Sequence, residues 1–159
     1  MSLYDWLLFL HIATAFALVS ALVLFTYLIL GGRSLSVPSD VVRMFRISKV
    51  GDALMGIGSI GVLVFGIWLA IEVEEYELWD GWIIAAIILW LGFGAIGSRI
   101  GKIYYPARDR AKALVAEGRD EANPGLNAML RSQTGLVLHI ATVALALLLL
   151  IDMIYKPGA

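Results

Sequence analysis

The chain has 159 residues, of which 60% are hydrophobic and 16% are charged, and its mean hydropathy is +0.86. This composition lies outside the range of soluble globular domains, and nothing in it points to a nucleic-acid-binding protein. The formal net charge is −1, and the absence of cysteine excludes disulfides and thiolate metal sites.

Four apolar stretches are long enough to cross a bilayer, which needs about 20 apolar residues. They cover about residues 6–30, 53–71, 82–104 and 134–154. Residues 31–52 and 105–133 are predicted loops on one side, and residues 72–81 a turn on the other. Four spans leave no room for a soluble catalytic domain. We therefore predict an all-α protein, an antiparallel bundle of four transmembrane helices forming one membrane domain, residues 1–159.

The two long loops and the short turn carry opposite charges. The loops and their flanks hold every Lys and Arg except Lys156. Because positive residues are retained in the cytoplasm, both loops are predicted to be inside and both termini outside. Carboxylates in the turn suit a divalent cation, but topology and solubility explain them adequately; these residues are Glu72, Glu74, Glu75, Glu77 and Asp80.

The predicted loops contain helix signals of their own. Ser39 or Asp40 is the expected N-cap of a short amphipathic run that lies on the membrane surface. Pro106 near a first turn and Gly118 as a stop predict another short helix. Asn123 is the expected cap of the segment that leads into the last span.

Two kinds of side chain are expected at the ends of the spans. Aromatic residues are predicted at the membrane interfaces, for example Trp82 outside and Tyr104 inside, because their rings favour headgroup depth. The ionisable residues Asp52 and Asp152 are expected to reach the interface from span edges. No Asp, Glu, Lys or Arg lies at mid-membrane, which argues against a carboxylate-relay transporter.

Two stretches match the pattern G-x-G-x-x-G, but they lie inside predicted spans and follow no strand. A nucleotide site is therefore rejected. In lipid, small residues let helices approach closely. We predict that these glycines pack the second and third spans tightly or leave space for a flat molecule; they are Gly56, Gly58, Gly61, Gly92, Gly94 and Gly97.

The pentapeptide LHIAT occurs twice and contains both histidines of the chain, His11 and His139. An imidazole within a span is a candidate haem ligand, and the alternative is a buried hydrogen bond, for which each histidine has a threonine three residues later. At 1.5 Å per residue, His11 is expected about 7–8 Å below the outer membrane face, and His139 about 7–8 Å below the inner one. About 15 Å then separates them in a core of about 30 Å, so one haem is not shared.

Methionines occur at matching depths. Met153 lies toward the outside with His11, and Met55 lies toward the inside with His139. Each pair is a candidate His/Met ligand set for haem iron, as in cytochromes, and no other metal ligands are expected.

The opening LYDWLLFLHIATAF, the basic inner loops and the closing DMIYKPG resemble a bacterial family of predicted four-helix integral membrane proteins. This implies the inner membrane of a bacterium. More distantly, the chain is similar to CopD-type copper-resistance proteins and to HemJ-type protoporphyrinogen oxidases, which bind haem b. The latter place a Trp five residues before a His, as Trp6 stands to His11. Leu8 replaces their usual lysine, so the resemblance implies haem binding rather than porphyrinogen oxidation.

Three functions follow as expectations. The first is a small membrane subunit or scaffold that packs within a larger complex or with copies of itself, because no catalytic residues are recognised. The alternative is a haem b-binding redox protein using His11 and also His139. A third is metal transport of the CopD type.

Overall fold

The computed structural model describes residues 2–73 and 75–157. Within these ranges the chain is helical and has no strand. Four stretches are long and apolar enough to cross a membrane, the last of them running from Pro124 to Tyr155. This confirms the predicted four-helix membrane bundle. The helices are α1 (Leu3–Gly32), α2 (Pro38–Glu72), α3 (Gly81–Ala116), α4 (Pro124–Leu130) and α5 (Gln133–Tyr155).

The helices form two antiparallel hairpins. Helix α1 packs along α2, and α3 packs along α5 with α4 at one end. Between the hairpins, α2 meets α3 over a smaller area, and α1 scarcely touches α5. Tight packing within each hairpin and looser packing between them leaves room along their shared face.

Glycines on α2 explain how closely the first hairpin packs. A Cβ atom added at Gly58 would lie 2.5 Å from the backbone nitrogen of Leu18, and one added at Gly61 would overlap the Thr14 side chain. Such approach of one backbone to another is available only to small residues. The partner of these glycines is α1, however, and not the third span, which is where we expected them to pack.

Helices α2 and α3 extend further than predicted. The expected amphipathic run after residue 40 is the beginning of α2, whose N-cap is Val37 with Pro38 in the first turn, so the predicted caps at Ser39 and Asp40 are wrong. Pro106 lies inside α3 instead of starting a new helix. Burial against neighbouring helices sustains both extensions, since Val41 and Ala107 are completely buried.

Other helix ends follow the predicted signals. The Asn123 side chain accepts a hydrogen bond from the backbone nitrogen of Leu126 at 3.0 Å and caps α4. Gly118 follows α3 with a φ of +71°, the left-handed conformation that glycine adopts most readily.

The end of the bundle formed by residues 29–45 and 104–131, here called the basic end, is a compact core. Leu114, Leu126 and Leu130 are almost fully buried there. Asn127 Nδ2 donates to the carbonyl oxygens of Arg33 at 3.0 Å and Leu35 at 2.7 Å. The two polar connections therefore pack against each other and tie the hairpins together.

The opposite end, here called the acidic end, carries the described ends of the chain and the turn at residues 72–81, in which Glu74 lies outside the described residues. Lys156 Nζ hydrogen-bonds Tyr76 and lies 5.4 Å from the centroid of the Trp82 ring. Trp82 and Asp152 lie at this end and are buried against protein, and the ring of Trp82 packs against that of Tyr76. Their depth relative to the membrane interface stays a prediction.

Large apolar side chains cover the outside of the bundle. Phe16, Tyr27 and Ile154 are each at least 70% exposed. In a spanning bundle these side chains contact lipid, which replaces the protein core as the apolar environment.

Candidate ligand cavity

A cavity of about 350 Å³ lies between the two hairpins. It begins beside the core of the basic end and reaches toward the middle of the bundle. All five helices contribute to its wall. The lining residues are Leu22, Phe25, Leu28, Ile29, Gly32, Met44, Phe45, Ser48, Asp52, Met55, Ser59, Phe93, Gly94, Gly97, Ser98, Ile100, Gly101, Tyr104, Tyr105, Leu130, His139 and Thr142.

One wall of the cavity is made by glycines of α3. Both Gly94 and Gly97 line the space, and a Cβ atom added at either would meet no described atom within 4 Å. A Cβ atom added at Gly92 would lie an ordinary 3.7 Å from the Leu145 side chain of α5, and one added at Gly56 on α2 would meet no described atom within 4 Å. The second G-x-G-x-x-G stretch thus leaves open space where larger side chains would fill it.

His139 lies in the cavity wall on α5. Its side chain is 4% exposed, and Nε2 lies 2.7 Å from Thr26 Oγ1 on α1. Thr142, one turn further along α5, is also buried and donates to the carbonyl oxygen of Leu138 at 2.9 Å. The hydrogen bond that anchors His139 therefore crosses from one hairpin to the other.

His11 occupies a different part of the bundle. It packs against Gly66 of α2, and its Nδ1 atom is buried without a hydrogen-bond partner among the described residues. Thr26, the partner of His139, lies fifteen residues along α1 from His11, or about 22 Å at 1.5 Å per residue. The structure thus keeps the two LHIAT copies apart.

The two methionines that were predicted as ligand partners of the histidines also lie in different parts of the bundle. Met55 lines the cavity together with His139. Met153 packs against the acidic-end cluster that contains Ala70 and Trp82. Of the two candidate His/Met sets, the structure brings the members of one, His139 and Met55, to a common cavity.

The lining does not suit a haem. The Nε2 atom of His139 is already bonded to Thr26, which leaves only Nδ1 for an iron. None of the described lining residues is Lys or Arg, and the carboxylate of Asp52 in the lining would repel haem propionates. Among the described residues, no three His, Asp or Glu side chains come together as a metal site requires.

Three polar features of this region were not anticipated. Tyr104, expected at the interface, is 8% exposed and lies under α5, where its hydroxyl would contact a Cβ atom on Gly135 at 2.5 Å. Asp52 belongs to the lining. Trp90 Nε1 donates to the Ser59 carbonyl at 3.1 Å. In the sequence, the one sign of such features is a polar residue next to a glycine-rich span.

The fold and the cavity together define a small multi-pass integral membrane protein with a cavity between two helical hairpins. The chain belongs to the family described as predicted integral membrane protein DUF2269, whose profile matches residues 5–157. Searches of the curated proteins and of the solved structures give no significant match.

Proposed function

We propose that this protein binds a small apolar molecule of the membrane in the cavity between its hairpins. The observation that carries the proposal is a space of about 350 Å³ that is mostly apolar yet contains the buried side chains of His139, Thr142 and Tyr104. Ligand sites in proteins are typically clefts of about 300–1,000 Å³ with mainly apolar walls and a few polar groups that orient the ligand.

The contrast with the rest of the bundle supports this interpretation. Helices α1 and α2 pack so closely that Gly58 leaves no space for a Cβ atom against the backbone of Leu18. The basic end is a solid core around Leu126. Protein interiors are normally packed to the density of organic crystals. Open space beside Gly94 and Gly97 is therefore a local feature of this chain and not a general looseness of the fold.

Because the chain contains no cysteine, an introduced thiol can be labelled without background from native thiols. Single thiols are introduced by Gly97→Cys in the cavity wall and by Gly56→Cys, a matched control on α2 outside the lining. Each variant, in a neutral detergent, reacts with monobromobimane with or without a lipid extract of the host membrane. We expect the extract to slow the reaction at position 97 several-fold and to leave position 56 unchanged. Equal slowing at both positions contradicts the proposal.

A role as a subunit or scaffold of a larger complex, or of a homo-oligomer, stays a prediction from the sequence. Its support is the small size of the chain and the broad apolar surface that includes Phe16 and Ile154. Lipid covers such a surface equally well. Size-exclusion chromatography with light scattering in mild detergent tests this role, and a monomer without stoichiometric partners contradicts it.

Haem binding through His11 or His139 and metal transport of the CopD type also stay predictions. Met55 and His139 line the same cavity, which supports haem binding, whereas the Thr26 hydrogen bond and Asp52 oppose it. A visible spectrum of protein from haem-replete cells tests haem binding: a Soret band lost on His139→Ala supports it, and a colourless preparation contradicts it. Uptake of copper by vesicles containing the protein tests transport.

We further propose that the protein lies in a bacterial inner membrane with both termini outside. Every Lys and Arg except Lys156 lies in the basic end or its flanks, and the turn at residues 72–81 of the acidic end contains carboxylates but no Lys or Arg. This is the distribution that retention of positive charge in the cytoplasm produces.

A further inference from the structure

Three hydroxyl groups in the cavity wall present acceptors and not donors. Ser48 Oγ donates to the Phe45 carbonyl at 3.0 Å, and Ser98 Oγ donates to the Ala95 carbonyl at 3.0 Å. Thr142 likewise donates within α5. Because a hydroxyl has a single hydrogen, these three groups have only lone pairs left for a ligand.

The His139 imidazole follows the same pattern. Thr26 Oγ1 donates its hydrogen to the Leu22 carbonyl at 2.8 Å, so its lone pair accepts from Nε2–H of His139 at 2.7 Å. A neutral imidazole with a protonated Nε2 has an unprotonated Nδ1. The histidine therefore adds another acceptor to the described lining.

The charge and the aromatic residues of the wall also favour a positively charged group. Asp52 is the charged side chain among the described lining residues. Five aromatic rings share the space with it, and the negative faces of such rings attract cations. One of these rings already receives a cation, since the Arg108 guanidinium lies 4.6 Å from the centroid of Tyr105 while it bonds Asp109 at 2.9 Å. The rings are Phe25, Phe45, Phe93, Tyr104 and Tyr105.

From this inventory we infer that the ligand is a lipophilic cation, an ammonium-like group on an apolar body, held by the Asp52 carboxylate and the aromatic faces. The inference rests on the proposed function, because it names the chemical class of molecule that the same cavity takes. No Lys or Arg is among the described lining residues, and Arg108, which lies over the Tyr105 ring, is already paired with Asp109. The Asp52 carboxylate therefore disfavours anionic headgroups in this cavity.

A pair of probes of the same shape and opposite charge tests the inference. Binding of tetraphenylphosphonium and of tetraphenylborate to the purified full chain is measured by equilibrium dialysis in dodecyl maltoside, with empty micelles as the blank. We expect the cation to bind at least about tenfold more tightly than the anion. Asp52→Asn should weaken cation binding about tenfold, because it removes the charge and keeps the shape.

Asp40→Asn is the matched control, since Asp40 is a carboxylate near the same end of α2 but lies outside the lining and faces Arg43. It should leave cation binding unchanged. Asp52 is exposed, so its substitution should also leave the fold intact, which circular dichroism checks. Equal binding of the two probes, no cation binding to the wild type, or an unchanged affinity in Asp52→Asn overturns the inference.

Gly97→Leu separates this inference from the proposed function. A Cβ atom added at Gly97 meets no described atom within 4 Å, so the leucine is introduced into open space at the cavity wall. If Gly97→Leu abolishes binding of both probes while Asp52→Asn changes neither, the cavity binds ligands but does not select cations, and the inference fails alone. If Gly97→Leu changes the binding of neither probe, the cavity is not the site, and the inference fails together with the proposed function.

Discussion

The Nε2 atom of His139 lies 2.7 Å from Thr26 Oγ1, and this contact joins α5 of one hairpin to α1 of the other. Because the direct packing of α1 on α5 is slight, the hydrogen bond is a principal link between the hairpins beside the cavity. The second LHIAT copy therefore contributes a buried polar link, whereas His11 of the first copy packs against glycine Gly66 within one hairpin.

The hydrogen bond between Thr26 and His139 predicts that Thr26→Val, which keeps the shape and removes the hydroxyl, destabilises the folded protein. The Nε2 atom of His139 would be buried without a partner, and we expect the free energy of unfolding to fall by about 1 kcal/mol. Reversible unfolding in mixed detergent micelles measures the change. Thr14→Val is the matched control, because the Thr14 hydroxyl bonds only its own helix, to the carbonyls of Leu10 and His11. Equal effects of the two substitutions would show that the cross-hairpin bond contributes nothing.

The glycines of α2 differ in what surrounds them, and this difference predicts opposite results for one substitution. Gly58→Ala places a methyl group against the backbone of Leu18, which cannot move without separating α1 from α2. We expect a loss of about 1–3 kcal/mol in the free energy of unfolding. Gly56→Ala meets open space and should be neutral or stabilising, since alanine favours a helix. A destabilised Gly56→Ala, or an unaffected Gly58→Ala, would contradict the packing of this hairpin.

Asn127 ties the two connections of the basic end, so its removal should loosen that end. Asn127→Ala leaves the carbonyl oxygens of Arg33 and Leu35 without their side-chain donor. We expect a loss of about 1–2 kcal/mol in the free energy of unfolding and faster amide exchange in residues near this end. Ser34→Ala serves as the comparison, because Ser34 bonds only the carbonyl of Gly31 in its own exposed turn. Uniform exchange across the whole bundle would argue against a local role for Asn127.

The proposed orientation predicts a labelling pattern in intact cells. A thiol introduced by Trp79→Cys at the acidic end should react with a membrane-impermeant maleimide, and one introduced by Arg119→Cys at the basic end should not. Both positions are exposed, so burial does not explain a difference between them. After the cells are broken, both thiols should react. Labelling of position 119 but not of position 79 in intact cells would reverse the orientation.

The sequence predicts the existence and order of the spanning helices because hydropathy over about 20 residues is a local property. It places the caps at Asn123 and Gly118 correctly for the same reason. It misses the continuity of α2 and α3 because polar runs and Pro106 resemble helix boundaries. Residues such as Val41 and Ala107 keep these segments helical through burial against distant parts of the chain, which no short window contains.

The cavity, too, can be predicted from the sequence only in part. The glycine pattern indicates small helix faces, but it does not specify which helix each face meets. Gly58 faces α1, whereas Gly97 faces the space between the hairpins. Likewise, the LHIAT repeat indicates two buried imidazoles without indicating that Thr26 bonds only the second. Partner choice depends on the relative placement of hairpins, which is set by long-range packing.

We propose above that the space beside Gly97 holds a small molecule. Native mass spectrometry tests it most directly, on wild type, Gly97→Leu and Gly56→Leu purified side by side from host membranes in neutral detergent. We expect a discrete small-molecule adduct on the wild type and on Gly56→Leu, and its loss from Gly97→Leu, in which a larger side chain is introduced at the cavity wall. The same adduct on all three proteins, or none on the wild type, would contradict it.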